Sequence, residues 1–180
     1  SNAAAFCYNT SSRNAKGGRA VDHVLTIAEE RLNLFAHMAN SACGLSLWCF
    51  GMKKQLYTCT CPAEKEFRLF LDLGQCLDYA IAHGPESHAP ILMSDPIGML
   101  WVAECVWHGD DASYLVILGP VFDAAASLQT LQNCLRGMNL SVSLTATIME
   151  KLEQVPILPL STLHQYIKML HWVLYEETLD

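Results

Sequence analysis

The sequence predicts an α+β domain, a single antiparallel sheet flanked by helices. Two observations carry that expectation. Apolar spacing switches repeatedly along the 180-residue chain between the helical repeat of about 3.6 residues and strict alternation. The alternating segments form two separated hairpins with helices between and after them, an order that cannot supply the strand–helix–strand crossovers of a parallel sheet. Composition bounds the rest. Hydrophobic residues make up 52% of the chain and charged residues 16%, against a usual charged share of roughly 25%, which excludes a disordered segment. Eleven Lys and Arg against eighteen Asp and Glu leave a net charge of −7, the wrong sign for a surface that tracks phosphates. No apolar run approaches the ~18 residues needed to cross a bilayer.

Residues 1–20 read as a flexible leader, polar and glycine-containing, whose Ser1-Asn2-Ala3 start resembles the remnant of a cleaved expression tag. The domain proper is expected over 21–180. Val21, Val24, Leu25, Ala28, Leu32, Phe35 and Met38 fall near one face and predict a helix over 21–40, with Asp22 suiting its first turn and Gly44 stopping it. Alternation then predicts a hairpin, strand 45–50, turn 51–54 and strand 55–61, ended by Pro62. A helix over 64–83 follows, closed by Gly84-Pro85. The second hairpin comprises a short strand at 91–93, a turn at Asp95-Pro96, a long strand over 99–107, a turn at 108–112 and a return strand over 114–118. Leu128, Leu131, Leu135 and Met138 predict a helix over 127–138. Residues 140–155 mix strand and helix signals, and 161–177 forms a closing helix with Leu163, Ile167, Leu170 and Leu174 on one face.

The eight cysteines include no CxxC and follow no secretion signal, which points to a reduced, cytoplasmic protein. Cys59 and Cys61 sit two apart in a strand and so share a face. They form either plain packing or a thiol redox or soft-metal site, to which Cys49 across the hairpin adds a ligand if it shares that face. The chain has no glycine-rich phosphate loop, no GxSxG elbow and no HExxH, and nothing singles out a Cys–His pair, so no enzymatic activity is expected.

Glu104 lies in Trp101-Val102-Ala103-Glu104-Cys105-Val106-Trp107. Alternation puts Trp101, Ala103, Cys105 and Trp107 on one face and Glu104 with two valines on the other. A carboxylate there either faces solvent or, if buried, needs a partner, since burial unpaired costs several kcal/mol. The second alternative makes it a polar anchor in a ligand cavity. Trp48, Tyr57, Trp101, Trp107 and Tyr114 give the two hairpins an aromatic load of the kind that lines either a core or a small-molecule pocket.

Over 94–122 the chain carries Ser94-Asp95-Pro96-Ile97-Gly98-Met99-Leu100-Trp101 and then Tyr114-Leu115-Val116-Ile117-Leu118-Gly119-Pro120-Val121-Phe122. This stretch resembles the N-terminal PAS/GAF-like sensory domain of bacterial AraC-type helix-turn-helix transcription regulators. The resemblance implies a regulatory input domain that binds a small molecule and relays the signal to a C-terminal DNA-binding domain. The present chain reaches Asp180 with no basic recognition helix, so DNA contact is expected only through a domain beyond it. The ligand-binding residues expected are Trp48, Tyr57, Trp101, Glu104 and Tyr114, with ligand seated between sheet and helices. A homodimer through the 21–40 and 161–177 helices is also expected. The ligand's identity and any cofactor stay open, as do two alternatives: an interaction module without ligand, and the cysteine-based sensor.

Overall fold

The computed structural model describes residues 19–108, 110–176 and 179; the expected leader therefore lies almost wholly outside the described residues. Helix α1 (Arg19–Cys43) leads into strands β1 (Leu47–Gly51) and β2 (Leu56–Cys59). Helices α2 (Glu64–Leu73) and α3 (Cys76–Ser87) come next, then β3 (Ile91–Ser94), β4 (Leu100–His108) and β5 (Asp111–Val121). Helices α4 (Leu128–Arg136), α5 (Val142–Leu152) and α6 (Leu160–Tyr175) close the described chain. The five strands form one antiparallel sheet in the order β2-β1-β5-β4-β3. The two hairpins are thus stitched together by β1 against β5, with Leu47 opposite Leu118 and Gly51 opposite Tyr114.

Both faces of the sheet are covered. On one, Trp48, Phe50, Trp101, Ala103, Cys105, Leu115 and Ile117 pack against residues of α2, α3, α4 and α5. On the other, Leu47, Val102, Val106, Val116 and Leu118 meet Leu32, Phe35 and Ala36 of α1 and Leu163, Ile167 and Leu170 of α6. Burial from both sides explains why β1 is buried at every position instead of alternating with polar residues.

Three expectations change in detail. The single helix over 64–83 is two, broken at Gly74-Gln75, where Gln75 is left-handed (φ 55°). Gly74 lets the β3–β4 turn press close onto the helix end, since a Cβ there would lie 3.2 Å from the backbone of Asp95. Pro85 does not end the second piece, which runs on to Ser87. Tertiary packing outweighs the proline: Gly84 sits over Leu115 and Cys105 so closely that a Cβ would touch both. The ambiguous stretch 140–155 resolves as helix, with Ser141 accepting a hydrogen bond from the Leu144 amide as its N-cap.

Candidate functional site

The stretch that carries the family resemblance folds into a tight structural knot. Asp95 is buried at the β3–β4 turn, where its Oδ1 accepts from the Ile97 and Met99 amides at 3.0 Å each. Its Oδ2 accepts the Trp101 indole N–H at 2.9 Å. Burial pushes the Asp95 carboxyl up to about 6, against the lowering effect of those donors. The Gly119 carbonyl accepts the Trp48 indole N–H at 2.8 Å. Gly119 itself has φ +138°, and a Cβ there would lie 2.9 Å from both the Leu100 carbonyl and the Trp101 ring. The two halves of the motif therefore meet at Trp101, which packs edge-on against Trp48 at 5.8 Å between centroids.

The five residues expected to line one pocket divide into three places. Trp48 and Trp101 touch each other but are fully buried, with both indole donors taken by the protein. Tyr114 lies on the opposite face: the β4–β5 register sets it beside Val106, and it packs on the α1–α6 side. Tyr57 stands 42% exposed, its hydroxyl accepting from the Gln55 side-chain amide. The expected contact face of Trp101, Tyr57 and Tyr114 is thus not assembled, because strand alternation separates Trp101 from Tyr114.

Glu104 is buried, 3% exposed, so the solvent-facing alternative does not hold. It points toward α6, where Oε1 pairs with His171 Nδ1. Burial raises the Glu104 carboxyl, while the hydrogen bond and charge of His171 pull it back down. Its second oxygen, Oε2, is buried with no hydrogen-bond partner. A turn further along α6, the Tyr175 hydroxyl donates to the Cys105 carbonyl. The terminal helix is therefore fastened to a central strand by polar contacts within an otherwise apolar interface. His171 and Tyr175 escaped the sequence reading. The available signal was a histidine one turn after Ile167, beside the apolar stripe, matched by a glutamate between valines on a long strand.

Beside this pair lies a groove of about 550 Å³ between α6 and the sheet edge, lined by Leu92, Val102, Ile167, His164, Gln165 and Lys168 among others. Val102 is two residues from Glu104 on the same face, and Ile167 is one helical turn from His171, each about 6 Å away along its element. A second groove, about 520 Å³, runs from the Gly74–Tyr79 junction to Met93 and Ser94. Leu92, half-exposed on the edge strand β3, borders both.

Cys59 packs on the face that carries Trp48, its partner across the hairpin. Cys49 alternates to the other face, opposite Val116, and so does not join it. Among the described residues no group of three or more His, Cys, Asp or Glu is placed to hold a metal ion. No described helix is long and apolar enough to cross a membrane. Comparison with protein-family models, curated proteins and solved structures finds no match to the chain.

Proposed function

We propose that this is a regulatory input domain of the PAS/GAF-like kind, which binds a small molecule in the groove beside α6 and passes the signal through that helix to an output domain. The observation that carries this reading is the Glu104–His171 pair: an ionisable couple, buried and incompletely satisfied, that docks the last helix on a central strand. An interface held this way responds to small changes in the field around it, because an unpaired buried oxygen is costly in a low-dielectric setting. A ligand that repositions α6 thereby shifts the population between docked and released arrangements. The groove's lining suits a molecule with an apolar body and an anionic or hydrogen-bond-accepting end, the first against Leu92 and Val102, the second toward Lys168 and His164. The α+β layout and the motif over 94–122 support the resemblance to AraC-type sensors. In that reading DNA contact falls to the output domain, in keeping with the net charge of −7.

The test is a thermal-shift screen of small carboxylic and phosphorylated metabolites, followed by calorimetry on the best binder. Lys168→Ala is expected to weaken that binder roughly tenfold or more, the worth of one charge-assisted hydrogen bond. A screen without a binder, or a binder indifferent to Lys168→Ala, overturns the assignment.

One observation favours self-association alongside sensing. On the outer surface of the α1–α6 layer, Leu34, Met38, Met169 and Trp172 are 44–62% exposed, and the Arg31 guanidinium stands 6.0 Å from the centroid of the Trp172 ring. We read this stripe as a homodimer face. A monomer by light scattering at tens of micromolar excludes it.

A further inference from the structure

We propose that the ligand of this domain is a short extended peptide with an acidic central residue, which adds a strand to the free edge of β3 and sends its side chains alternately toward the two grooves. The proposal rests on the groove reading above and names the chemical class that fits it.

β3 is the outer strand of the sheet and pairs with β4 alone. Its register fixes which backbone groups that edge offers. The Asp95 amide donates to the Met99 carbonyl at 3.0 Å, which makes these two a hydrogen-bonded pair. Such pairs recur at every second residue of an antiparallel ladder. Met93 with Trp101 and Ile91 with Ala103 are therefore the next two, and Leu92 and Ser94 turn their N–H and C=O groups outward. The Ser94 carbonyl meets the Cys76 thiol at 3.8 Å. The Leu92 N–H and C=O have no partner among the described residues. Pro90 and the turn at Asp95 bound this strip, whose four residues span about 13 Å. Ile91–Ser94 holds no charge and no proline, the usual protection of an exposed edge.

Leu92 is also where the two grooves meet. Side chains of an added strand alternate between the faces of the sheet. A peptide residue opposite Leu92 exchanges both backbone hydrogen bonds with it and shares its face, the one that carries Val102 and meets α6. Its side chain is thus directed toward the groove with Lys168 and His164, which stand one helical turn apart and join none of the ion pairs among the described residues. A carboxylate complements them. The residues before and after it turn to the other face, toward Tyr79, Met93 and Cys76. Asp78 of that groove is already paired with Lys54, so apolar side chains suit it. The edge therefore reads an apolar–acidic–apolar segment, with the main chain supplying affinity and the two grooves specificity.

The experiment titrates acetylated tripeptide amides X-Glu-X, with X drawn from Leu, Ile, Val, Met, Phe and Tyr, into the protein by calorimetry. At least one is expected to bind with Kd below about 1 mM. Methylating the Glu nitrogen of that peptide removes the N–H that donates to Leu92 and should weaken binding at least about tenfold. Methylating the nitrogen of the next residue, which points away from β3, should leave binding nearly unchanged. Exchanging Glu for Gln should cost about tenfold. By NMR, hydrogen exchange of the Leu92 amide slows on binding, whereas the Met93 amide, already in the ladder, is unchanged. Leu92→Pro deletes the outward N–H, which an edge strand tolerates on that side, and should abolish binding. If no peptide of the set binds, or if a bound one is indifferent to Gln or to which nitrogen is methylated, the proposal is overturned. A metabolite that depends on Lys168 and binds without slowing exchange at Leu92, where no peptide binds, leaves the groove reading standing and overturns the peptide one; with no binder of either kind, both fall. The methylated peptides and wild-type exchange decide the matter even if Leu92→Pro fails to fold.

Discussion

Replacing His171 with Ala removes the partner of Glu104 and leaves a carboxyl that is 3% exposed with neither oxygen bonded to a side chain. Breaking a buried pair by deleting one member costs about 3–5 kcal/mol, more than the pair is worth relative to an apolar replacement. The cost has a sign in pH. Glu104 already has a raised carboxyl, and losing His171 raises it further. A raised acid contributes stability that is full below its unfolded value, near 4.5, and lost as pH rises through its folded value. The deficit of His171→Ala against wild type is therefore largest on the alkaline side of the folded Glu104 carboxyl and shrinks as pH falls toward 4.5, as Glu104 takes up a proton (about 1.4 kcal/mol for each unit by which its pKa is raised). The double variant Glu104→Leu/His171→Leu, which removes both polar side chains and fills the space, is expected within about 1 kcal/mol of wild type. Urea unfolding followed by tryptophan fluorescence across this pH range measures all three. A deficit below about 1 kcal/mol that does not change with pH refutes the reasoning, because it means that Glu104 reaches water or another donor.

Other consequences follow from the motif knot. Gly119→Ala places a Cβ 2.9 Å from the Leu100 carbonyl at a backbone angle that side chains avoid, and should cost about 3 kcal/mol in chemical denaturation. Trp101→Ala empties a fully buried site and removes the donor to Asp95 Oδ2, so it should lower stability by about 3–5 kcal/mol; a variant as stable as wild type, altered only in ligand affinity, contradicts that placement. Asp95 is held up at about 6 from 3.8, so wild-type stability should fall by about 3 kcal/mol as pH rises from 4 through 6. Asp95→Asn should flatten that slope and be the less stable protein at pH 4, by the one to three kcal/mol that an unpaired Trp101 donor costs.

The layout was legible in the sequence because each element announced itself in period and punctuation. The switch from helical spacing to alternation at Leu45, and the apolar run over 99–107, were enough for the hairpins. The break at Gly74-Gln75 was not legible, because its cause is Asp95, twenty-one positions later, pressing on a glycine. The site was legible only in part. Alternation put Glu104 and Trp101 on opposite faces correctly, and the valine-flanked carboxylate signalled a missing partner. Its identity, His171, depends on how α6 crosses β4, which no local spacing encodes. Tyr57 and Tyr114 were grouped with Trp101 by residue type, whereas the β4–β5 register sends Tyr114 to the other layer. The aromatic motif over 94–122 looked like pocket lining and serves instead as a hydrogen-bonded core.

The most direct test of the account is hydrogen–deuterium exchange with and without the strongest binder from the metabolite screen. The account predicts changed protection in residues 160–175 of α6 and at β3, where Leu92 borders the groove, with α2 and α4 unaltered. Changes confined to the opposite layer, or a bound compound that leaves α6 untouched, contradict it.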